Sequence, residues 1–142
     1  VEVDAETFAI KLTEYYIAHD CGVQMNPQIV AGMVYGGTMR GIEAALLSKY
    51  AYDESGQLLS QTFMDYLLPS AMEIPHIEMV DHVTPAPGHP LGAKGCAEGG
   101  YMTAPAAVIS AVEDALRPFG VTLDEIPVTP SQLYELCTKG RT

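Results

Sequence analysis

The stretch Asn26-Pro27-Gln28-Ile29-Val30-Ala31-Gly32-Met33-Val34-Tyr35-Gly36-Gly37-Thr38-Met39-Arg40-Gly41-Ile42-Glu43-Ala44-Ala45-Leu46-Leu47 decides the fold. Asn26 is a good N-cap, because its side-chain oxygen can accept a bond from an orphan N–H of the first turn. Pro27 suits the first helical position, where no backbone donor is needed. Val30, Val34, Ile42, Ala45 and Leu46 then recur near a 3.6-residue period, which predicts a helix over residues 29–47. Gly32, Gly36, Gly37 and Gly41 oppose it, each costing about 1 kcal/mol against alanine inside a helix. Close approach of another backbone would offset that cost, and Gly37 and Gly41 lie one turn apart on one face. Tight packing against a sheet or helix is the simpler reading of these glycines. A backbone pressed against a bulky ligand is the functional one.

Upstream, residues 1–3 and 8–18 read as two strands around the polar turn Asp4-Ala5-Glu6-Thr7, and a turn follows at His19-Asp20-Cys21-Gly22. Downstream, residues 50–52 and 57–62 flank Asp53-Glu54-Ser55-Gly56 as a hairpin. Residues 74–83 contain a strand in which Ile77 and Met79 alternate with Glu78 and His82. Regularity stops over residues 85–100, where three prolines and five glycines fall. Long irregular segments inside a domain are often functional. A second helix is expected to start near Thr103 to Pro105. It buries Val108, Ile109, Val112, Ala115 and Leu116 and ends at Pro118 and Gly120. Thr129-Pro130-Ser131-Gln132 is a capping box that opens a short helix over Leu133 and Leu136. The order predicts one α+β unit over 1–142, with a mixed or mostly antiparallel sheet and about three helices.

The composition excludes several functions. Hydrophobic residues make up 48% of the 142 and charged ones 18%, well under the roughly 25% charged of an average domain, so a packed chain is expected rather than a disordered one. Seven basic residues against 18 acidic ones give a net charge of −11, which disfavours nucleic acid and anionic membrane surfaces. No apolar run approaches the roughly 18 residues of a membrane-spanning helix. The acidic start Val1-Glu2-Val3-Asp4 lacks the pattern of a signal peptide. Cys21, Cys96 and Cys137 are scattered and odd in number, which argues against a disulfide framework or a zinc or iron–sulfur site within the chain. A cytoplasmic location is the expectation.

The densest chemical candidate is His89-Pro90-Leu91-Gly92-Ala93-Lys94-Gly95-Cys96-Ala97-Glu98-Gly99-Gly100. Glycines around a single carboxylate expose backbone N–H groups and let a ligand approach the main chain. By spacing alone, Glu98 is most simply a surface residue beside a helix cap; a general base or a ligand contact is the sharper reading. Cys96 has no neighbouring His or Cys and reads as an inert thiol. His76, His82 and His89 read as scattered side chains, since a zinc site would need a fourth ligand. Asp65 and Tyr66, beside Pro69, read as a turn or strand end. Glu113 and Asp114 read as solvated groups on the second helix.

Taken in order, a set of motifs resembles the xanthine dehydrogenase and aldehyde oxidase family over nearly the whole chain. They are His19-Asp20-Cys21-Gly22 with Asn26-Pro27, Gly32-Met33-Val34-Tyr35-Gly36-Gly37 with Gly41, Tyr52-Asp53 with Gly56-Gln57-Leu58, and Asp65-Tyr66 with Pro69. Pro90-Leu91-Gly92-Ala93-Lys94-Gly95-Cys96-Ala97-Glu98 and Ala104-Pro105-Ala106-Ala107-Val108 complete the set. The resemblance implies the C-terminal portion of a large molybdenum-cofactor subunit, within a larger molybdopterin-binding domain. It implies oxidative hydroxylation of an aldehyde or N-heterocycle carbon with water-derived oxygen, with Glu98 as the general base. It places Lys94, Gly95, Cys96 and Ala97 against molybdenum–molybdopterin, in its plain or cytosine dinucleotide form. It implies 2Fe-2S clusters and FAD on other chains or domains, the remainder of the large subunit as partner, and a dimer of the assembled enzyme; this chain alone would be inactive. The family pattern departs at Met33 and Arg40, where glutamines are common, and a thioether cannot donate a hydrogen bond. Met33 motivates the alternative of a non-catalytic assembly or binding module with the same fold.

Overall fold

The computed structural model describes residues 1–138. The chain runs β1 (Glu2–Val3), β2 (Ile10–Lys11), β3 (Glu14–His19), α1 (Pro27–Leu46), β4 (His76–Asp81), α2 (Gly99–Ala115), a 3-10 turn (Arg117–Phe119) and α3 (Pro130–Thr138). This is an α+β arrangement with three helices. The strands form two separate two-stranded sheets, however, and not one. β1 and β2 pair antiparallel over two residues each. β3 and β4 pair parallel over six, Glu14 opposite His76 through His19 opposite Asp81. A parallel pair needs a long crossover, and α1 with the segment after it supplies that crossover.

The strand expected over 8–18 is broken into β2 and β3. Phe8 takes a left-handed φ of 56°, and the Asp4 side chain accepts bonds from the Glu6 and Thr7 N–H groups to close the turn before it. The turn turns the Phe8 ring inward, edge-on to Phe119 and Tyr134. The hairpin expected over 50–62 shrinks to a single bridge between Tyr52 and Leu58.

α1 forms where its signals place it. Asn26 Oδ1 accepts from Ile29 N at 3.1 Å. Its buried stripe is Val30, Val34, Thr38, Ile42 and Ala45. α2 starts at Gly99, earlier than expected, and holds Pro105 in its interior. Pro105 has no N–H for the carbonyl of Tyr101, and that carbonyl faces Gly41 of α1 instead. The two helices cross through their smallest residues: a β-carbon at Gly41 would come within 2.6 Å of Ala104 Cβ, and one at Gly37 within 3.1 Å of Tyr101 N. Two of the four α1 glycines are thus explained by packing. Gly32 and Gly36 meet nothing within 4 Å and lie on an exposed face with Ile29 and Met33.

Three apolar clusters hold the unit together. Phe8, Val112, Leu116, Leu123, Val128 and Leu133 form one beneath α2 and α3. Ile42, Ala45 and Val108 seal the helix pair. Ile17, Cys21, Val30 and Val34 fill the space between β3 and α1, with Cys96 packed against them. Thr129 Oγ1 accepts from Gln132 N at 3.3 Å, so the capping box at α3 forms its first bond. Glu113 is not simply solvated, because its carboxylate accepts the Leu123 N–H at 2.7 Å and ties down the segment after α2. Asp114 remains at the surface, paired with Arg117.

Candidate active site

The loop between β4 and α2 is irregular in backbone yet firmly tied to the end of β3. Val23 N donates to Gly92 O at 3.0 Å, Lys94 N donates to Cys21 O at 2.8 Å, and Gly22 and Ala93 form an antiparallel bridge. Glycine is required at 22, whose φ is 65° and where a β-carbon would come within 2.2 Å of Gly92 O. The loop also closes on itself, with Ala86 N donating to Gly92 O and Gly92 N to His89 O.

Asp20 supplies the polar anchor. Its carboxylate accepts from Lys94 Nζ at 2.8 Å, from the Thr84 hydroxyl, and from the Gly22 N–H at 2.8 Å. Lys94 Nζ also reaches Thr84 Oγ1 at 2.5 Å. The Lys94 ammonium, then the Thr84 hydroxyl and the Gly22 N–H, hold the Asp20 carboxyl well below the usual carboxylate range. The Lys94 ammonium is therefore engaged at this anchor. Cys96 packs against the apolar cluster over a cavity of about 290 Å3 that it shares with Cys21, Val23, Met25 and Asn26. Burial pushes the Cys21 thiol up, as expected for an inert core thiol.

Glu98 closes the loop at the cap position of α2, with φ −101° and ψ −7° and no side-chain capping bond. Its backbone carbonyl accepts Met102 N at 3.0 Å, so the main chain is already part of the helix. Its carboxylate is exposed, and it forms no hydrogen bond or ion pair with the described residues. Behind it, Gly99 lies against the His19 ring and Gly100 against the carbonyl of Val34 and the Thr38 side chain. His19 Nδ1 and Thr38 Oγ1 are buried with no hydrogen-bond partner among the described residues. Gly95 meets nothing within 4 Å, so its backbone is open on the outer side.

Gly95, Ala97 and Glu98 are thus exposed, while the Lys94 ammonium is engaged by Asp20 and Thr84. His76, His82 and His89 do not converge, and among the described residues no three His, Cys, Asp or Glu side chains could hold a metal ion. The open glycine backbone and a free carboxylate fit a cofactor that brings its own metal ligands and takes main-chain contacts from the protein. A cleft of about 420 Å3 elsewhere, lined by Ile10, Leu12, Ile42, Leu46 and Ile74, includes none of these loop residues.

Arg40 is a residue whose partner the sequence did not signal. Its guanidinium bonds the carboxylate of Glu43, which is only 3% exposed. It also donates to Tyr66 OH at 2.9 Å and sits over that ring, 5.8 Å from its centroid. Tyr66 in turn packs on Tyr50 at 5.0 Å. Asp65 is held in a turn by the Thr62 hydroxyl.

Among the described residues no helix is long and apolar enough to cross a membrane. Residues 1–75 match the family model of the molybdopterin cofactor-binding domain. The chain is 42% identical over 140 residues to the nicotine 6-hydroxylase large subunit of Paenarthrobacter nicotinovorans, covering 99% of this chain and 17% of that one. It is 38% identical over 135 residues to the carbon monoxide dehydrogenase large chain of Hydrogenophaga pseudoflava, covering 95% and 17%. The fold superimposes on quinoline 2-oxidoreductase from Pseudomonas putida 86 with a TM-score of 0.93 and 39% identity, over 96% of this chain and 17% of that one. The chain therefore spans about a sixth of the length of the relatives it matches.

Proposed function

The chain belongs to the xanthine dehydrogenase and aldehyde oxidase family, in its molybdopterin cofactor-binding portion, and from that premise we propose that it is the C-terminal segment of a molybdenum hydroxylase large subunit that supplies the general base. The observation that carries the proposal is the Glu98 carboxylate, which has no partner among the described residues and lies at the end of a loop tied to β3 through Gly92, Ala93 and Lys94.

Molybdenum–molybdopterin, when bound, supplies the two-electron oxidation and Lewis acidity that no residue here can provide. The chain's residues supply position and proton transfer. Glu98 takes the proton from the attacking water-derived oxygen at one of its carboxylate oxygens, which raises the nucleophilicity of that oxygen as it meets an electron-poor carbon. The backbone of Gly95, Cys96 and Ala97 would hold the cofactor, and the open space where a Gly95 side chain would stand would let the ligand reach the main chain. Lys94 contributes through its main chain, its ammonium being held by Asp20 and Thr84. Relatives named for nicotine 6-hydroxylation and quinoline 2-oxidoreduction favour an N-heterocycle carbon as the substrate class, with an aldehyde carbon as the other choice.

Partner subunits or domains carrying 2Fe-2S clusters and FAD would accept the electrons, in a dimeric cytoplasmic assembly whose pterin is in its plain or cytosine dinucleotide form. Cys21, Cys96 and Cys137, with no cluster spacing, suit that division of labour. In the assembled enzyme, Glu98→Gln removes the base and keeps the shape. Turnover should fall about 100- to 10,000-fold while molybdenum per enzyme stays unchanged. Unimpaired hydroxylation by Glu98→Gln would sink the assignment, and a molybdenum-free native complex would sink the cofactor reading.

A further inference from the structure

Asp20 and Lys94 are 74 residues apart in sequence and joined at 2.8 Å. The bond lies at one end of the segment 95–98, and the His19–Gly99 contact lies at the other. Two consecutive residues at the end of β3 therefore hold both ends of the segment that carries Glu98. Between those ends, only Cys96 reaches inward, to the cluster of Ile17, Cys21, Val30 and Val34. The Glu98 carboxylate has no partner among the described residues, so its position follows from the anchors at the two ends of its segment.

We infer that Asp20 is a positioning residue for Glu98, fixing the base through its bonds to Lys94 and Thr84. The inference rests on the reading of Glu98 as general base. Its physical content is the geometry: one carboxylate gathers an ammonium, a hydroxyl and a main-chain N–H, while Thr84 belongs to the segment entering the loop and Lys94 to the segment leaving toward Glu98. A charge-assisted bond of this kind is short and directional, and the main-chain pairing of residues 21–23 with 92–94 makes the joint stiff. A base displaced by about 1 Å loses on the order of 100-fold in rate without loss of substrate affinity.

The test uses the assembled holoenzyme, with rates expressed per molybdenum. Asp20→Asn keeps the shape and removes the charge; kcat should fall about 10- to 100-fold with KM changed less than about twofold. Amide hydrogen exchange should accelerate in residues 92–99 and not in α1 or α3. Thr84→Val, a milder change at an exposed residue, should give a smaller loss in kcat that Thr84→Ser restores. The double variant Asp20→Asn with Lys94→Met should be no worse than the more damaging single change, because both break one joint. Unchanged kcat in both Asp20→Asn and Thr84→Val overturns the inference, as does exchange that accelerates throughout the chain. Loss of molybdenum in Lys94→Met but not in Asp20→Asn also overturns it, since the ammonium would then serve the cofactor directly. Glu98→Gln, run in parallel, separates the two readings. If it is inactive while Asp20→Asn is unimpaired, the positioning role alone fails. If Glu98→Gln is fully active, the base assignment fails and takes the inference with it.

Discussion

The ring of His19 occupies the place where a side chain at residue 99 would begin: a β-carbon on Gly99 would come within 2.3 Å of Nε2 and 2.6 Å of Cδ2. His19 is the last residue of β3 and Gly99 the first of α2. The contact joins the parallel sheet to the helix start that carries Glu98, and it explains why two glycines follow that glutamate. Gly100 is equally confined, with the Val34 carbonyl 2.4 Å from its would-be β-carbon.

Gly99→Ala should therefore destabilise the fold by about 1–3 kcal/mol, the usual cost of overpacking a tight site. His19→Ala in the same chain should recover part of that loss by removing the obstructing ring. Urea midpoints of the single and double variants check this, and additive losses would speak against the contact.

The α1 glycines divide into two classes with opposite expectations. Gly41→Ala meets Ala104 Cβ at 2.6 Å and should cost about 1–3 kcal/mol. Gly36→Ala meets nothing within 4 Å and should stabilise the chain by up to about 1 kcal/mol through helix propensity. Denaturation of the 142-residue chain measures both. In the assembled enzyme, loss of molybdenum or of assembly in Gly36→Ala would reveal a neighbour against that open face.

Arg40 serves both a buried carboxylate and the segment after α1. Arg40→Met strands Glu43 without its cation and frees Tyr66. The expected loss is about 1–3 kcal/mol, at the lower end because Arg40 itself is 45% exposed. Proteolysis should then begin within residues 50–75. Adding Glu43→Gln should restore much of the stability, while cleavage in that segment should persist.

Acid should loosen the Asp20 joint in a defined window. Its carboxyl titrates below the usual range in the folded chain, chiefly because of Lys94. A depressed carboxyl adds stability at pH values above its ordinary value of about 4, and that contribution is lost as pH falls toward the folded value. The difference in urea midpoint between the native chain and Asp20→Asn should hold steady from about pH 7 to 5 and shrink below about pH 4. A constant difference down to strongly acidic pH would contradict the joint.

Much of the scaffold was legible in the sequence because its signals are local. Asn26 and Pro27 announced α1, Thr129 and Pro130 announced α3, and the 3.6-residue stripes named Val34, Val108 and Val112 as core. The sequence points to a later start for α2 than the one found, because Pro105 reads as a first-turn residue, whereas its missing N–H is tolerated in the interior where Tyr101 O faces Gly41. The strand expected over 8–18 starts only at Ile10, because alternation does not register a left-handed residue such as Phe8.

By itself the sequence determined the family resemblance, the helices, the α+β class and the presence of one carboxylate in a glycine-rich loop, since each depends on residues close together along the chain. Only the tertiary structure decided that β3 pairs in parallel with β4, that Gly37 and Gly41 but not Gly32 and Gly36 face a helix, that Arg40 finds Tyr66, and that Asp20 holds Lys94. Those outcomes depend on which distant groups burial brings within a few ångströms, and no local pattern of spacing encodes that distance.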